Sequence, residues 1–501
     1  MGGMSDDRRE AMLPSAERSE FAARELAAEL VEIVGRDQVR VGAEARQRYP
    51  GDMSWLTYIH AAHGRPLAQQ DVAVTPRTRE QVAAVLKFAS RKGIPVTPVG
   101  GGSGVQGAAN ADRGGLVIDL GGMRRLRHVD PVSLTCTVEP GMNVAELEGV
   151  LNAQGLSFTH YPASAEWASV GGCVAARGSG VLSTKHGTMQ DHVLSLEVVA
   201  ANGDIIRLPP VPRHGVGPEL TQLFVGSEGC LGIVTAITVK LRPLPKVRRF
   251  VVWRFDSLDS GIEAGRRIMV DGLLPSVMRL YDRDAAIHSL ERAVQAGLDS
   301  ETAVLVFDGQ HERLVDAEVQ TALEIGASLG ARTLDPRIGQ DWWDRRYTFY
   351  HPPFAPQLPQ IWCTMDVVAD FAHIGGVYRA VTSALREAVE EEHRMTVKTH
   401  LSHWYPWGAM IYPRVTIPRA PDTLERALEL HDRVVRVATL AALKAGAAMN
   451  DHHGVGLRLG PYMAAQLGDE GMRLLESIKS ALDPARILCP GKLGLRSPFA
   501  S

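Results

Sequence analysis

Apolar residues recur along this chain at two spacings. Phe21, Leu26, Leu30 and Ile33 fall at helical intervals and predict an amphipathic helix over Ser19 to Val34. Val82, Val85, Leu86 and Ala89 predict another, opened by a Thr78–Gln81 capping box and closed by Gly93. Runs rich in Val, Ile and Thr predict strands at Asp71 to Val74, Ile94 to Pro98, Leu116 to Leu120, Thr135 to Glu139, Leu194 to Ala200 and Ile233 to Leu241. From Arg248 the pattern changes. Strands are predicted at Phe250 to Phe255, Val277 to Tyr281, Ala303 to Phe307, Ile361 to Val367, Thr396 to Leu401 and Gly408 to Ile417. Between and after them come helices at Gly261 to Val270, His311 to Leu329, Ile374 to Glu391, Leu424 to Ala448 and Leu474 to Leu482. This is an α+β pattern, its second half an antiparallel sheet with helices on one face.

Composition narrows the picture. The 501 residues carry 54 Lys+Arg against 57 Asp+Glu, a formal charge of −3. That balance gives no electrostatic reason for a nucleic-acid partner. No apolar run is long enough for a transmembrane helix, and the charged first twenty residues read as a disordered tail rather than a secretory signal. The five cysteines are scattered and form no CxxC pair, so a reducing cytoplasm is the expected setting. Glycine is unevenly spread. Of 49 glycines, 24 fall between Gly93 and Gly232, where the backbone must turn tightly or approach something closely.

Candidate chemistry lies in that region and near the C-terminus. Pro98 to Gly107 (PVGGGSGVQG) follows a predicted strand and offers consecutive backbone N–H groups plus the Ser103 hydroxyl to a pyrophosphate, although such a loop alone can equally be a flexible connection. Tyr161 to Gly180 and Phe224 to Gly232 repeat the small-residue style, and three such loops could line a groove for a dinucleotide. Further on, His452-His453-Gly454-Val455-Gly456 offers imidazoles that could accept a proton, or could simply be a satisfied turn. His400 and His403 are three apart in a predicted strand and loop, so they should face different ways, and no metal is expected. Trp342, Trp343, Trp404, Tyr405 and Trp407 could line an aromatic pocket; a core at the domain interface is the favoured reading.

Taken in order, Pro98 to Gly104, Pro162-Ala163-Ser164 with Val170-Gly171-Gly172, Ser179 to Asp191 (SGVLSTKHGTMQD) and Leu220 to Gly232 (LTQLFVGSEGCLG) resemble the FAD-binding domain of the vanillyl-alcohol-oxidase and p-cresol-methylhydroxylase superfamily. Pro275 to Asp282, Gly408 to Tyr412 and His452 to Gly456 resemble the C-terminal domain of FAD-linked oxidases, in particular alkyl-dihydroxyacetone-phosphate synthases and D-lactate or glycolate dehydrogenase relatives. The resemblance implies a tail over 1–20, an N-terminal helical segment over 21–67, a two-subdomain flavin domain over 68–245, an α+β substrate cap over 246–420, and C-terminal helices over 421–501 that return to the flavin. It implies FAD contacts from Pro98, Gly100, Gly101, Gly102, Ser103, Gly104, Pro162, Ser164, Ser169, Gly171, Gly172, Ser179, Gly180, Thr184, His186, Gly187, Glu228, Gly229, Gly232 and Ile233. Ser103 stands where some branches carry a flavin-linking histidine, so non-covalent FAD is expected; Cys230 stands where relatives usually have Thr.

On the substrate side the resemblance implies catalytic roles for Tyr412, His452, His453 and Arg279. By composition alone, Tyr412 would be a core residue and Arg279 a surface ion pair. Asp451 replaces the first of three histidines typical of the synthases. The Tyr-Leu-Arg-Asp element of relatives that handle acyl phosphates is also absent, with Tyr350-His351-Pro352-Pro353-Phe354 in its place. The implied reaction is hydride transfer from a small hydroxylated substrate, a 2-hydroxy acid or related alcohol, with O₂ or another carrier as final acceptor. A synthase-like transferase without net redox change, an oxidase of aromatic alcohols or phenols, and a non-catalytic flavin protein are the alternatives. A homodimer stays open as the assembly.

Overall fold

The computed structural model describes residues 15–290, 299–347 and 357–499. Its first layer is a small sheet of β1 (Val39–Val41), β2 (Val72–Val74), β3 (Val96–Val99) and β4 (Leu116–Asp119), in the order β1-β2-β4-β3. The inner strands run parallel and β1 is an antiparallel edge. Helices α1 (Ser15–Val34) and α2 (Arg79–Lys92) cover this sheet through Ala27, Leu30, Val82, Val85 and Leu86. The first helix thus begins at Ser15, inside the stretch read as tail. The Thr78 side chain caps α2 by accepting the Gln81 N–H at 3.2 Å, and Gly93 closes it in the left-handed conformation. The expected capping box is displaced by one residue, because Gln81 accepts from the Arg77 N–H rather than that of Thr78.

A second, antiparallel sheet has the order β5-β6-β10-β8-β9, from β5 (Leu126–Asp130), β6 (Thr135–Val138), β8 (Val193–Val199), β9 (Ile205–Arg207) and β10 (Ile233–Lys240). Its core is closed by α3 (Val144–Asn152) and α4 (Val170–Ala176). The short strands β7 (Leu156–Ser157) and β11 (Arg242–Pro243) pair beside it.

The second half is one eight-stranded antiparallel sheet. It runs β15-β12-β14-β13-β18-β19-β16, with β17 also paired to β19. Its members are β12 (Val247–Phe255), β13 (Val277–Tyr281), β14 (Glu301–Gly309), β15 (Arg332–Thr333), β16 (Ile361–Thr364), β17 (Val367–Asp370), β18 (Thr396–Tyr405) and β19 (Gly408–Ile417). Helices α5 (Leu258–Val270), α6 (Glu312–Ser328), α8 (Ile374–Ala388) and α9 (Leu424–Lys444) bury one face, with Trp404 and Trp253 deep in that core. On the other face, α7 (Pro336–Arg345) covers the β12 to β14 end through Ile338, Trp342 and Trp343. The rest of that face looks toward the flavin domain's loops. The α+β architecture with an antiparallel cap sheet is therefore as expected, and Trp342, Trp343 and Trp404 are core, whereas Trp407 is exposed.

Two local departures matter for the site. The strand expected over Ile361 to Val367 is split into β16 and β17, both in one continuous register on β19. That register sets Met365 opposite Pro413, which has no N–H to donate, and Asp366 opposite Tyr412. The strand is interrupted there, at Met365 and Asp366. In β18 a bulge lies between Ser402 and Trp404, with His403 at φ 49°. Finally, the chain after α10 (Met463–Leu482) returns to β3: the Val96 N–H donates to Ile487 and the Cys489 N–H to Val96. Only the second part of α10 was predicted, because Gly468 (φ 71°, ψ 170°) breaks its helical pattern.

Candidate active site

One cleft runs between the loops of the two smaller sheets and the open face of the large one. Pro98, Gly100 to Gly104, Pro162, Ser164, Ser169, Gly171, Gly172, Ser179, Gly180, Glu228, Gly229, Gly232 and Ile233 line it, and Arg279, Tyr412, His452 and His453 line its other wall. Thr184, His186 and Gly187 do not. The Thr184 hydroxyl accepts from the Trp404 N–H at 3.2 Å and so ties a flavin-domain helix to β18. His186 lies in a separate cavity, and Gly187 packs on Asp191. The helix Ser183–His186 turns these three residues away from the cleft.

Part of the glycine excess brings protein backbone against protein backbone. A Cβ on Gly101 would stand 1.8 Å from the Trp167 carbonyl oxygen, and one on Gly141 would stand 2.1 Å from that of Leu120. The loops are thus pressed together into walls. What they leave facing the cleft fits a dinucleotide. Among the described residues, the N–H groups of Gly101, Gly102, Ser103 and Gly104 donate to no protein acceptor. Four consecutive unsatisfied donors suit a pyrophosphate. Gln106 and His160 also line the cleft, are buried, and have no hydrogen-bond partner for either side-chain polar atom. Groups of this kind need a polar ligand to offset their desolvation. Gln106 lies within the first glycine-rich segment singled out from the sequence and His160 just before the second, but neither residue type was distinctive enough to stand out.

The histidine turn is built around Asp366. This fully buried carboxylate accepts from the N–H groups of Asp451 (3.2 Å), His452 (2.8 Å) and His453 (3.1 Å) through one oxygen. Its other oxygen lies 2.9 Å from His453 Nδ1, while His452 Nδ1 is 3.2 Å from Asp366 and 3.0 Å from Asp451. Asp451 accepts in addition from Tyr405 Oη at 2.7 Å and Ser179 Oγ at 3.3 Å, and pairs with His403 Nδ1 at 2.9 Å. It therefore orients two imidazoles, those of His403 and His452. Glu228 anchors the turn from the flavin side by accepting the Val455 and Gly456 N–H groups.

The bulge corrects one expectation. A regular strand would send His400 and His403 to opposite faces; the extra residue resets the alternation, and both line the cleft. Two groups could hold a metal ion, Asp366–His452–His453 and His403–Asp451–His452, each with its ligand atoms within 4.8 Å of one another. Tyr281, His400 and Tyr412 are cross-strand neighbours, and the His400 and Tyr412 rings stack at 4.8 Å. Tyr412 continues to His452 at 6.1 Å and His453 at 5.6 Å between ring centroids. The segment Tyr350 to Phe354 lies outside the described residues, but Arg346, just before it, lines the cleft near Arg279.

Charge follows from these contacts. Burial works against ionised Asp366 and Asp451, yet the imidazoles and N–H groups prevail and hold both below the usual carboxylate range. Burial also pulls His452 down, but the Asp366 and Asp451 carboxylates outweigh it and leave His452 raised. At His453 burial prevails over Asp366, and its affinity for a proton is lowered. Isolation from water pushes His160 down to about 3, so it is a neutral imidazole. Burial pushes Glu228 up to about 7.

An α+β cleft with a free amide loop at one end and a carboxylate–imidazole cluster at the other defines a flavin-dependent oxidoreductase. Residues 70–209 match the FAD binding domain family and residues 244–493 the C-terminal domain of FAD linked oxidases. The chain belongs to the FAD-linked oxidases, with FAD as its cofactor. It is 27% identical to an alkyldihydroxyacetonephosphate synthase of Trypanosoma brucei brucei, over 94% of this chain and 80% of the relative. It is 26% identical to the glycolate oxidase subunit GlcD of Bacillus subtilis, over 87% of this chain and 92% of the relative. The structure of p-cresol methylhydroxylase with substrate bound superposes with a TM-score of 0.76 at 19% identity, over 97% of this chain and 98% of that one. Among the described residues no helix is long and apolar enough to cross a membrane.

Proposed function

We propose that this chain oxidises a small hydroxylated substrate, a 2-hydroxy acid or related alcohol, with FAD held non-covalently. The observation that carries this reading is the placement on one carboxylate of two imidazoles whose proton affinities are shifted in opposite directions, in the cleft that Tyr412, Arg279 and the free amide loop also line. Bound FAD supplies the hydride acceptor, at N5. The pyrophosphate is assigned to the Gly101 to Gly104 N–H groups, and Ser103 offers no imidazole for a covalent link.

His453 is the base. A proton on Nδ1 facing Asp366 leaves Nε2 with a free lone pair, and the lowered proton affinity keeps that pair available at neutral pH. It takes the hydroxyl proton while the carbon gives up hydride, and the substrate leaves as the carbonyl compound. His452, whose proton affinity its two carboxylates raise, serves as a hydrogen-bond donor to the substrate oxygen. Tyr412 sits against both rings and orients the same hydroxyl. Arg279 holds a substrate carboxylate or steadies negative charge developing nearby. Electrons then pass to O₂ or another carrier.

A synthase-like transfer without net redox change is the second reading, favoured by the 94% coverage against the trypanosomal synthase. Asp451, a carboxylate paired with His403 and His452 where the synthases typically carry a third histidine, opposes it. Anaerobic mixing separates the two: bleaching of the flavin by 2-hydroxy acids supports oxidation, and a response confined to acyl-dihydroxyacetone phosphate supports transfer. Flavin released into the supernatant on acid precipitation tests the non-covalent link.

A further inference from the structure

A second cavity lies where the flavin domain meets the cap, between α3, the β7–β11 pair, the start of β12 and the end of α7. Its walls carry four cationic side chains, Lys185, Arg242, Arg248 and Arg346, against two carboxylates, Glu148 and Asp308. The carboxylates do not cancel the cations. Asp308 is shared between Lys185 (3.4 Å) and Arg248 (3.6 Å). Glu148 is turned to the Ser157 hydroxyl (2.6 Å) and the Phe158 N–H (2.8 Å), and burial raises its pKa.

Arg248 and Arg346 both lie over the Trp343 indole, with guanidinium carbons 4.0 and 3.7 Å from its centroid. Cation–π contact fixes both guanidiniums on the one indole. Each guanidinium has a buried Nε–H without a hydrogen-bond partner. Burial, with a smaller contribution from Arg346, outweighs the opposing pull of Asp308 and lowers the proton affinity of Arg248. Arg248 keeps its 3.6 Å contact with Asp308 and Arg346 donates to the Trp343 carbonyl, but each guanidinium still has a buried Nε–H to satisfy, and two such planar donors lining one cavity are a preformed seat for an oxyanion. Arg346 also lines the flavin cleft, so one side chain borders both cavities.

We propose that this second cavity is an anion subsite, and that it selects substrates carrying a second oxyanion, a carboxylate or a phosphate, distal to the hydroxyl-bearing carbon. The inference rests on the oxidation reading for the identity of the ligand as substrate, but the anion site itself can be tested without it. Arg248 is the residue to change, because it borders only the second cavity.

The FAD-loaded protein is titrated calorimetrically with succinate and with inorganic phosphate, as wild type, Arg248→Gln and Arg248→Lys. Saturable binding is expected for one probe, weakened about tenfold or more in Arg248→Gln and less in Arg248→Lys, with unchanged flavin content. Saturation by succinate assigns a carboxylate, and saturation by phosphate assigns a phosphate. With a reducing substrate in hand, Arg248→Gln raises KM for hydroxy acids bearing the distal anion and leaves KM for monoacids unchanged. No saturable heat with either probe, or affinities within about twofold across the three proteins, overturns the subsite. A flavin that no hydroxy acid reduces, beside Arg248-dependent anion binding, overturns the oxidation reading while the subsite stands.

Discussion

Gly101→Ala tests how the cofactor end of the cleft is built. The new Cβ would stand 1.8 Å from the Trp167 carbonyl oxygen, 2.8 Å from its carbon and 3.1 Å from the Ser169 N–H nitrogen. All three are backbone atoms, so no side chain can rotate away. Restoring ordinary contact needs the glycine loop and the 167–169 turn to part by about 1.6 Å. Overpacking of this kind costs about 1–3 kcal/mol. If the loop yields by moving its N–H groups, that cost falls on FAD binding and weakens the dissociation constant by about 5- to 150-fold. The assay is titration of deflavinated protein with FAD, followed by flavin fluorescence, with far-ultraviolet circular dichroism as the check on folding. Gly376→Ala is the control, since its Cβ meets nothing within 4 Å on α8; it should leave FAD affinity unchanged and gain about 1 kcal/mol of helix propensity. A folded Gly101→Ala protein that binds FAD within about twofold of wild type would refute the close approach of these loops as the determinant of the site.

Other outcomes follow from the charge arrangement. Asp366→Asn removes the carboxylate that raises both imidazoles, so His453 becomes a weaker base; the acid limb of the flavin-reduction rate moves to lower pH and the plateau falls, whereas an unmoved limb would remove His453 from the role of base. Tyr412→Phe should slow flavin reduction by about 10- to 100-fold with flavin content unchanged, as read by anaerobic stopped flow. Glu228, raised in the fold from 4.5 to about 7, binds a proton more tightly folded than unfolded, so it makes stability fall as pH rises from 4.5 to about 7, by up to about 3 kcal/mol. Thermal unfolding of Glu228→Gln should show a flatter profile over that window; an identical slope in the two proteins would contradict the assignment.

The sequence made the architecture legible because periodicity survives in long elements. Val277–Tyr281 and Gly408–Ile417 match their predicted bounds, and the long helices α5, α6, α8 and α9 differ only at their ends, whereas the shorter Pro336–Arg345 was not predicted. Tyr412, His452, His453 and Arg279 were reached through resemblance, and they do share one cleft. What stayed hidden depends on backbone irregularity. Asp366 reads as the middle of a strand, and nothing in the periodicity shows that its carboxylate gathers the N–H groups of a turn more than eighty residues further on. His403 reads as facing away from His400 until the bulge at its own position reverses the alternation. Thr184, His186 and Gly187 looked like part of the flavin wall because they lie within a motif, yet one helical turn carries them to the domain junction. The glycine excess pointed rightly to close approach, but part of that approach is of backbone to backbone, with the cofactor in the space left over.

The central claim is that the two imidazoles and Tyr412 act on a hydroxyl-bearing carbon. Anaerobic mixing of the FAD-loaded protein with a panel of 2-hydroxy acids and alcohols, followed at the flavin absorbance, tests it most directly. Bleaching by at least one member, slowed in His453→Ala without loss of flavin, is the result the account predicts. A flavin that stays oxidised with every member, or is reduced equally fast in His453→Ala, would contradict it.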